Sequence, residues 1–246
     1  MIAIEVAAVL FFATVIRSAF GFGEALVAVP LLALAIPVEV AAPVAVLVSI
    51  TVALIVVLQD WRSIHIRSAV WLVLPTLLGI PLGLMVLKTV PETVVKAVLA
   101  TVIIGFSAWS LMPRAHFELG NDRLAWLFGF LAGILGGAYG MNGPPLAVYG
   151  SLRRWPPANF RATLQGYFLP ASLAGMAGYW AAGLWTPVVN RFYLLSLPGV
   201  LLAIFLGRVI NQRMNARQFV LYVHGGLIVI GLVLFVQALK YHPLIP

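Results

Sequence analysis

The chain has 246 residues, 63% of them hydrophobic and only 9% charged. A soluble globular domain carries about 25% charged residues, so this deficit excludes the ordinary soluble reading and makes lipid the solvent for most of the length. Net charge is +8, with 15 Lys and Arg against 7 Asp and Glu and no cysteine. The basic residues fall in short clusters between apolar runs, which points to lipid headgroups and the positive-inside rule rather than to nucleic acid. Without cysteine there are no disulfides, thiolate metal sites or cysteine nucleophiles.

In chain order, the first apolar run covers residues 2–20. It lacks a basic region before it, and Glu5 stands where positive charge is expected, so it reads as a retained membrane segment and not a cleaved signal. The stretch "GFGEALVAVPLL" (21–32) then breaks the apolar pattern with glycines and a carboxylate. The piece that follows, 24–36, falls short of the roughly 20 residues a spanning helix needs. Runs of spanning length follow at 40–58, 69–87 and 93–111. A further run at 124–138 leads into a second glycine-rich break, "GGAYGMNGPP", and a second short piece, 144–152. Three long runs, 160–182, 191–210 and 217–239, complete the chain. Short apolar pieces bordered by Gly or Pro mark discontinuous or re-entrant helices. The expected fold is all-α: a polytopic transmembrane helical bundle of five segments per half, one of them short.

The halves are related. Laying 21–32 on 140–151 aligns glycines and small apolar residues at an offset of 119, and the same offset carries Pro37 onto Pro156. "LLGIPLG" (77–83) lies one residue out of register with "LPGVLLA" (197–203), and Ile104-Gly105 matches Ile230-Gly231 after a longer loop. We therefore read residues 1–120 and 121–246 as N- and C-terminal repeats of one membrane domain. If each half crosses five times, one side collects Arg17, Arg62, Arg67, Arg114, Arg123, Arg153, Arg154, Arg161, Arg208, Arg213 and Arg217. The other side collects Lys88, Lys96, Arg191 and Lys240. The arginine-rich side is expected to be cytoplasmic. An odd number of crossings makes the repeats inverted.

Irregular backbone is tolerated in lipid only where protein buries it or a cavity adjoins it, so paired breaks predict a cavity between the halves. Each break precedes a helix start, whose free amides and dipole favour an anion. Asn142 is expected to cap the second short helix, with Pro144 and Pro145 in its first turn. Candidate substrate-binding residues are Gly21, Gly23, Glu24, Gly140, Asn142, Gly143, Arg161 and Gln165, the last two one turn apart on a helix. Glu24 can pair with Arg17 across the break or titrate, which makes these two the candidates for proton coupling. Gly129, Gly133 and Gly137, like Gly79 and Gly83, read as packing ridges. Tyr139, Tyr149 and Tyr167 are available as hydroxyl donors, and His224 reads as a hydrogen-bonded packing residue. His65, His116 and His242 fall in loops and the tail, with no ligand spacing. No metal motif, phosphate loop or serine nucleophile elbow is present, so no enzyme activity and no cofactor is expected.

At "GFGEALVAVPLL", "PVEVAAPVAVLVSI" and "GGAYGMNGPPLAVYGSLRRWPPANFRATLQGYFL" the chain resembles the sulfite exporter TauE/SafE family of membrane permeases. The likeness runs over nearly the whole chain. It implies export of sulfur-containing anions such as sulfite, sulfoacetate, other organosulfonates or thiosulfate. Glu24 departs from the glycine common in that family, so it must be neutralised or face away from a dianion. The expectation is a secondary transporter of a small anion in the cytoplasmic (inner) membrane, surrounded by lipid, with a homodimer left open. The alternative is a passive channel or an uptake permease for another small solute.

Overall fold

In hydrocarbon every backbone N–H and C=O needs an internal partner, so the apolar runs become helices. The computed structural model describes residues 2–60, 66–112, 119, 122–153, 157–211 and 216–240, and the elements among them are all helical. The first half contains α1 (Ile2–Phe20), α2 (Glu24–Leu32), α3 (Val38–Asp60), α4 (Ile66–Thr89) and α5 (Glu92–Leu111). The second contains α6 (Ala125–Tyr139), α7 (Gly143–Leu152), α8 (Pro157–Ala181), α9 (Pro187–Asn211) and α10 (Ala216–Lys240). Helices α1, α3, α4, α5 and α9 are long and apolar enough to cross a membrane. The protein is thus a multi-pass membrane protein. Its outer surface carries Leu, Trp and Phe side chains facing the surroundings, such as Leu58, Leu78, Trp180 and Phe205.

Packing exchanges equivalent partners between the halves. Helix α1 packs on α9 and α6 on α4, while α3 meets α8 and α5 meets α10. The α4–α6 seam is the tightest. A Cβ on Gly79, Gly83, Gly129, Gly133 or Gly137 would collide with a backbone carbonyl of the facing helix. The glycines expected as packing ridges are that seam, and they let two backbones touch.

These contacts also give the directions of the short helices. Gly129 lies against Leu72, Gly133 against Thr76 and Gly137 against Ile80, so α6 runs parallel to α4. The chain then turns at residues 140–142, and α7 comes back to where α6 began. Leu119 N–H donates to Leu152 O at 2.9 Å, and Tyr149 Oη donates to Asp122 Oδ1 at 2.5 Å. Helices α6 and α7 therefore form a hairpin. In the first half, Phe11 lies against Gly199, and Val15 and Ser18 against Gly207, so α1 runs parallel to α9. After the bend at 21–23, α2 leads to Pro37, which shares a recess with Leu87, Val90 and Glu92 at the α4–α5 turn. The α1–α2 hairpin opens on that side and the α6–α7 hairpin on the other.

Two further contacts tie the sides together: Arg208 Nη1 donates to Gln59 Oε1 at 2.8 Å, and Lys88 Nζ to Ala182 O at 2.9 Å. Helices α3–α5 and α8–α10 connect these two sides of the bundle. Arg17 was counted from sequence with the arginines of one side. It is buried, only 3% exposed, and paired with Glu24, the partner offered from sequence. The reason is that α1 ends inside the protein, at the bend, and not at the interface.

Candidate functional site

The first break is built on glycines that take left-handed backbone. Gly21 has φ 85° and Gly23 φ 98°, and Gly140 in the second break has φ 65°, a region costly for residues with a Cβ. At Gly140 an added Cβ would also lie 2.9 Å from Val46 Cγ2 and 3.0 Å from Ala42 O. Gly143 is different: a Cβ there would meet only Phe22 Cδ2, at 3.8 Å. That contact is where the two bends approach each other. Between them is a hollow of about 20 Å³, lined by Arg17, Phe22–Leu26, Ser49, Gly140–Gly143 and Phe168. Such a space holds about one water molecule.

Arg17 and Glu24 are the charged residues of this lining among the described residues. Arg17 Nη1 donates to Glu24 Oε2 at 2.5 Å and to Ser49 Oγ at 2.7 Å, and Nη2 donates to Gln165 Oε1 at 2.9 Å. Gln165 Nε2 in turn donates to Gly21 O at 2.6 Å, a partner for a carbonyl left free by the bend. Thr14 Oγ1 donates to Glu24 Oε1 at 3.3 Å, Ser49 Oγ and Ser172 Oγ lie 3.0 Å apart, and the Arg17 guanidinium sits 4.9 Å over the Phe168 ring. Desolvating each ion costs several kcal/mol, which mutual attraction offsets only with this density of hydrogen bonds. The network joins α1, α2, α3 and α8. Arg17 Nε has no hydrogen-bond partner.

The second break is organised differently from the sequence-based expectation. Asn142 occupies the N-cap position of α7 but makes no side-chain cap bond. A capping oxygen accepts from the second or third amide of the helix. Those positions are Pro144 and Pro145, which have no N–H. The Asn142 side chain instead lies over Gly136, where a Cβ would be 2.6 Å from Nδ2, and Nδ2 donates to Tyr167 Oη at 3.4 Å. The prolines also remove two of the first-turn amides that α7 was expected to present. The α2 start, with amides at Glu24, Ala25 and Leu26, is the richer donor end.

Of the residues singled out from sequence, Gly23, Glu24, Gly140, Asn142 and Gly143 line the hollow together, with Gly21 and Gln165 bonded beside it. The Arg161 side chain lies outside the described residues. So do His65, His116 and His242 and the side chain of His224. The three tyrosines are engaged within the protein: Tyr139 Oη donates to Val95 O at 3.0 Å, Tyr149 to Asp122, and Tyr167 Oη lies 2.7 Å from Thr76 Oγ1. Sequence reasoning missed Thr14, Ser49, Ser172 and Phe168. Thr14 was the most accessible of these, since it lies three residues before Arg17 and so on the same face of α1. The described residues contain no group of three His, Asp or Glu able to hold a metal.

The family model for the sulfite exporter TauE/SafE matches residues 6–234, both hairpins and the intervening helices included. The chain belongs to the TauE/SafE family. Its members are membrane transporters, and the family points to sulfur-containing anions as cargo. No curated protein and no solved structure matches the chain. The Arg17–Glu24 ion pair lies where the two hairpins of this TauE/SafE chain meet. A second recess of about 190 Å³ lies at the α4–α5 turn, lined by Glu39 and Glu92 among apolar groups, away from both bends.

Proposed function

We propose that this TauE/SafE protein is a secondary transporter that exports small sulfur-containing anions, sulfite or an organosulfonate such as sulfoacetate, across the cytoplasmic membrane. The observation that carries the reading is the meeting of both breaks at one hollow beside Arg17 and Glu24 in a chain of this family. Residues 1–120 and 121–246 act as inverted repeats. Support comes from the exchange of equivalent helix partners between halves and from hairpins that open on opposite sides. Rocking one repeat against the other would expose the hollow to each side in turn. The side bearing the ends of α3, α5, α7 and α9 faces the cytoplasm, because the arginine-rich loops lie there.

A hollow with room for one water is a closed state, so a sulfite-sized anion requires the hairpins to part. The amides opening α2, with Gln165 and Asn142, are the positions from which such an anion would be held. Glu24 is proposed as the site that takes up and releases a proton during the cycle, which links anion movement to proton movement. Counterflow of labelled sulfite in proteoliposomes tests the transport reading: uptake against preloaded unlabelled sulfite identifies a carrier, and its absence across a panel of sulfur oxyanions removes the proposal. For coupling, Glu24→Gln should flatten the pH dependence of that flux, and a profile like wild type would exclude Glu24 as the proton site.

A further inference from the structure

Arg17, the one cation lining the hollow among the described residues, is held unevenly. Arg17 spends Nη1 on the Glu24 carboxylate and Ser49, and Nη2 on Gln165. Its Nε, on a side chain 3% exposed, is left without an acceptor. A buried N–H of a guanidinium with no partner is a costly arrangement, and it is relieved by any oxygen brought within reach. The side chain lines the hollow beside Gly23, Asn142 and Gly143. The anion already bound to this guanidinium is part of the protein: the Glu24 carboxylate, which opens α2 at the helix end that favours negative charge. Its two oxygens accept from a cation (Arg17) and a hydroxyl (Thr14), and these are partners an incoming oxyanion would need.

Resting on the transport reading above, we infer that Arg17 is the ligand for the oxygens of the transported anion, and that the Glu24 carboxylate holds that place while no anion is bound. Arg17 binds a planar or trigonal oxyanion through more than one N–H at once, which a lysine could not do. Gln165 and Ser49 position the guanidinium: Gln165 fixes Nη2 against the Gly21 carbonyl, and Ser49, backed by Ser172, fixes Nη1. No other charged group among the described residues lines the hollow, so exchange of one carboxylate for one external monoanion leaves its charge balance unaltered once Glu24 is neutral or displaced. Selectivity follows. Neutral solutes and cations gain nothing from this site, and an anion gains only if it offers oxygens to the guanidinium.

The test uses the full chain in lipid nanodiscs with two probes. Glu24→Ala removes the resident carboxylate and leaves space for formate, which carries the same two oxygens. Formate should raise the unfolding temperature of Glu24→Ala by at least about 2 °C, with formamide, neutral and similar in shape, without effect. The double variant Arg17→Gln with Glu24→Ala should not respond to formate. Sulfite titrated into wild type by calorimetry should bind, and the charge-neutral pair Arg17→Gln with Glu24→Gln, which leaves no orphaned charge to unfold it, should bind at least tenfold more weakly. Equal responses to formate and formamide, or sulfite binding by the neutral pair equal to wild type, would overturn the inference. Wild type that ignores sulfite while Glu24→Ala responds to formate only through Arg17 would sink the sulfur-anion reading and keep the assignment of Arg17 as an anion ligand.

Discussion

Replacing Gly133 with alanine puts the α4–α6 seam to a quantitative test. The new Cβ would lie 2.9 Å from the Cα atoms of both Gly79 and Thr76 and collide with the Thr76 carbonyl. Ordinary contact for such a carbon begins near 3.4 Å, so the helices must separate by about half an ångström or more. Overpacking of this kind costs about 1–3 kcal/mol. Against it stands about 0.5–1 kcal/mol gained from replacing a helical glycine by alanine. Gly105, in α5, isolates that second effect, because a Cβ there would meet nothing within 4 Å. The helix-propensity gain is common to both variants and cancels. Gly133→Ala should therefore be less stable than Gly105→Ala by about 1–3 kcal/mol. Reversible unfolding in mixed micelles, followed by tryptophan fluorescence, measures the difference. A gap under about 0.5 kcal/mol would refute the claim that α6 is held to α4 by backbone contact. The effect should reach the second break too, since Thr76 Oγ1 donates to Gly129 O and lies 2.7 Å from Tyr167 Oη, the partner of Asn142.

Gly140→Ala should cost about 1–2 kcal/mol from left-handed backbone alone, with the contacts at Val46 and Ala42 added to it, and sulfite counterflow should fall at least tenfold. Gly23→Ala shares the backbone strain, but Ile16 is no nearer than 3.7 Å, so its loss should be the smaller of the two in the same assay. Because the chain has no cysteine, single cysteines report sidedness directly. Thr89→Cys should react in intact cells with a membrane-impermeant thiol reagent, and Arg123→Cys only after permeabilisation; the reverse pattern would invert the proposed orientation. Tyr149→Phe removes the hydroxyl that donates to Asp122 and should cost about 1 kcal/mol, read as faster hydrogen exchange of the α7 amides with α4 unaffected.

Sequence alone determined the helices and the breaks. Lipid leaves the backbone no alternative to helix, so run length and the positions of Gly and Pro carry that information locally: α5 was expected at 93–111 and spans Glu92–Leu111. The left-handed turns at Gly21, Gly23 and Gly140 were legible for the same reason, since few other residues take that backbone. The failed cap at Asn142 was also written there, in the two prolines that follow it.

Tertiary structure decided what the breaks do. Run length cannot distinguish a short crossing from a hairpin that turns back, because the outcome rests on contacts such as Leu119 with Leu152. Nor can it place Arg17. Its pairing with Glu24 could be offered from sequence, but Ser49 from α3 and Gln165, 148 positions later, are brought to it only by the fold. A buried charge is stable only where several remote partners converge, and that convergence is a property of the fold and not of any stretch of chain.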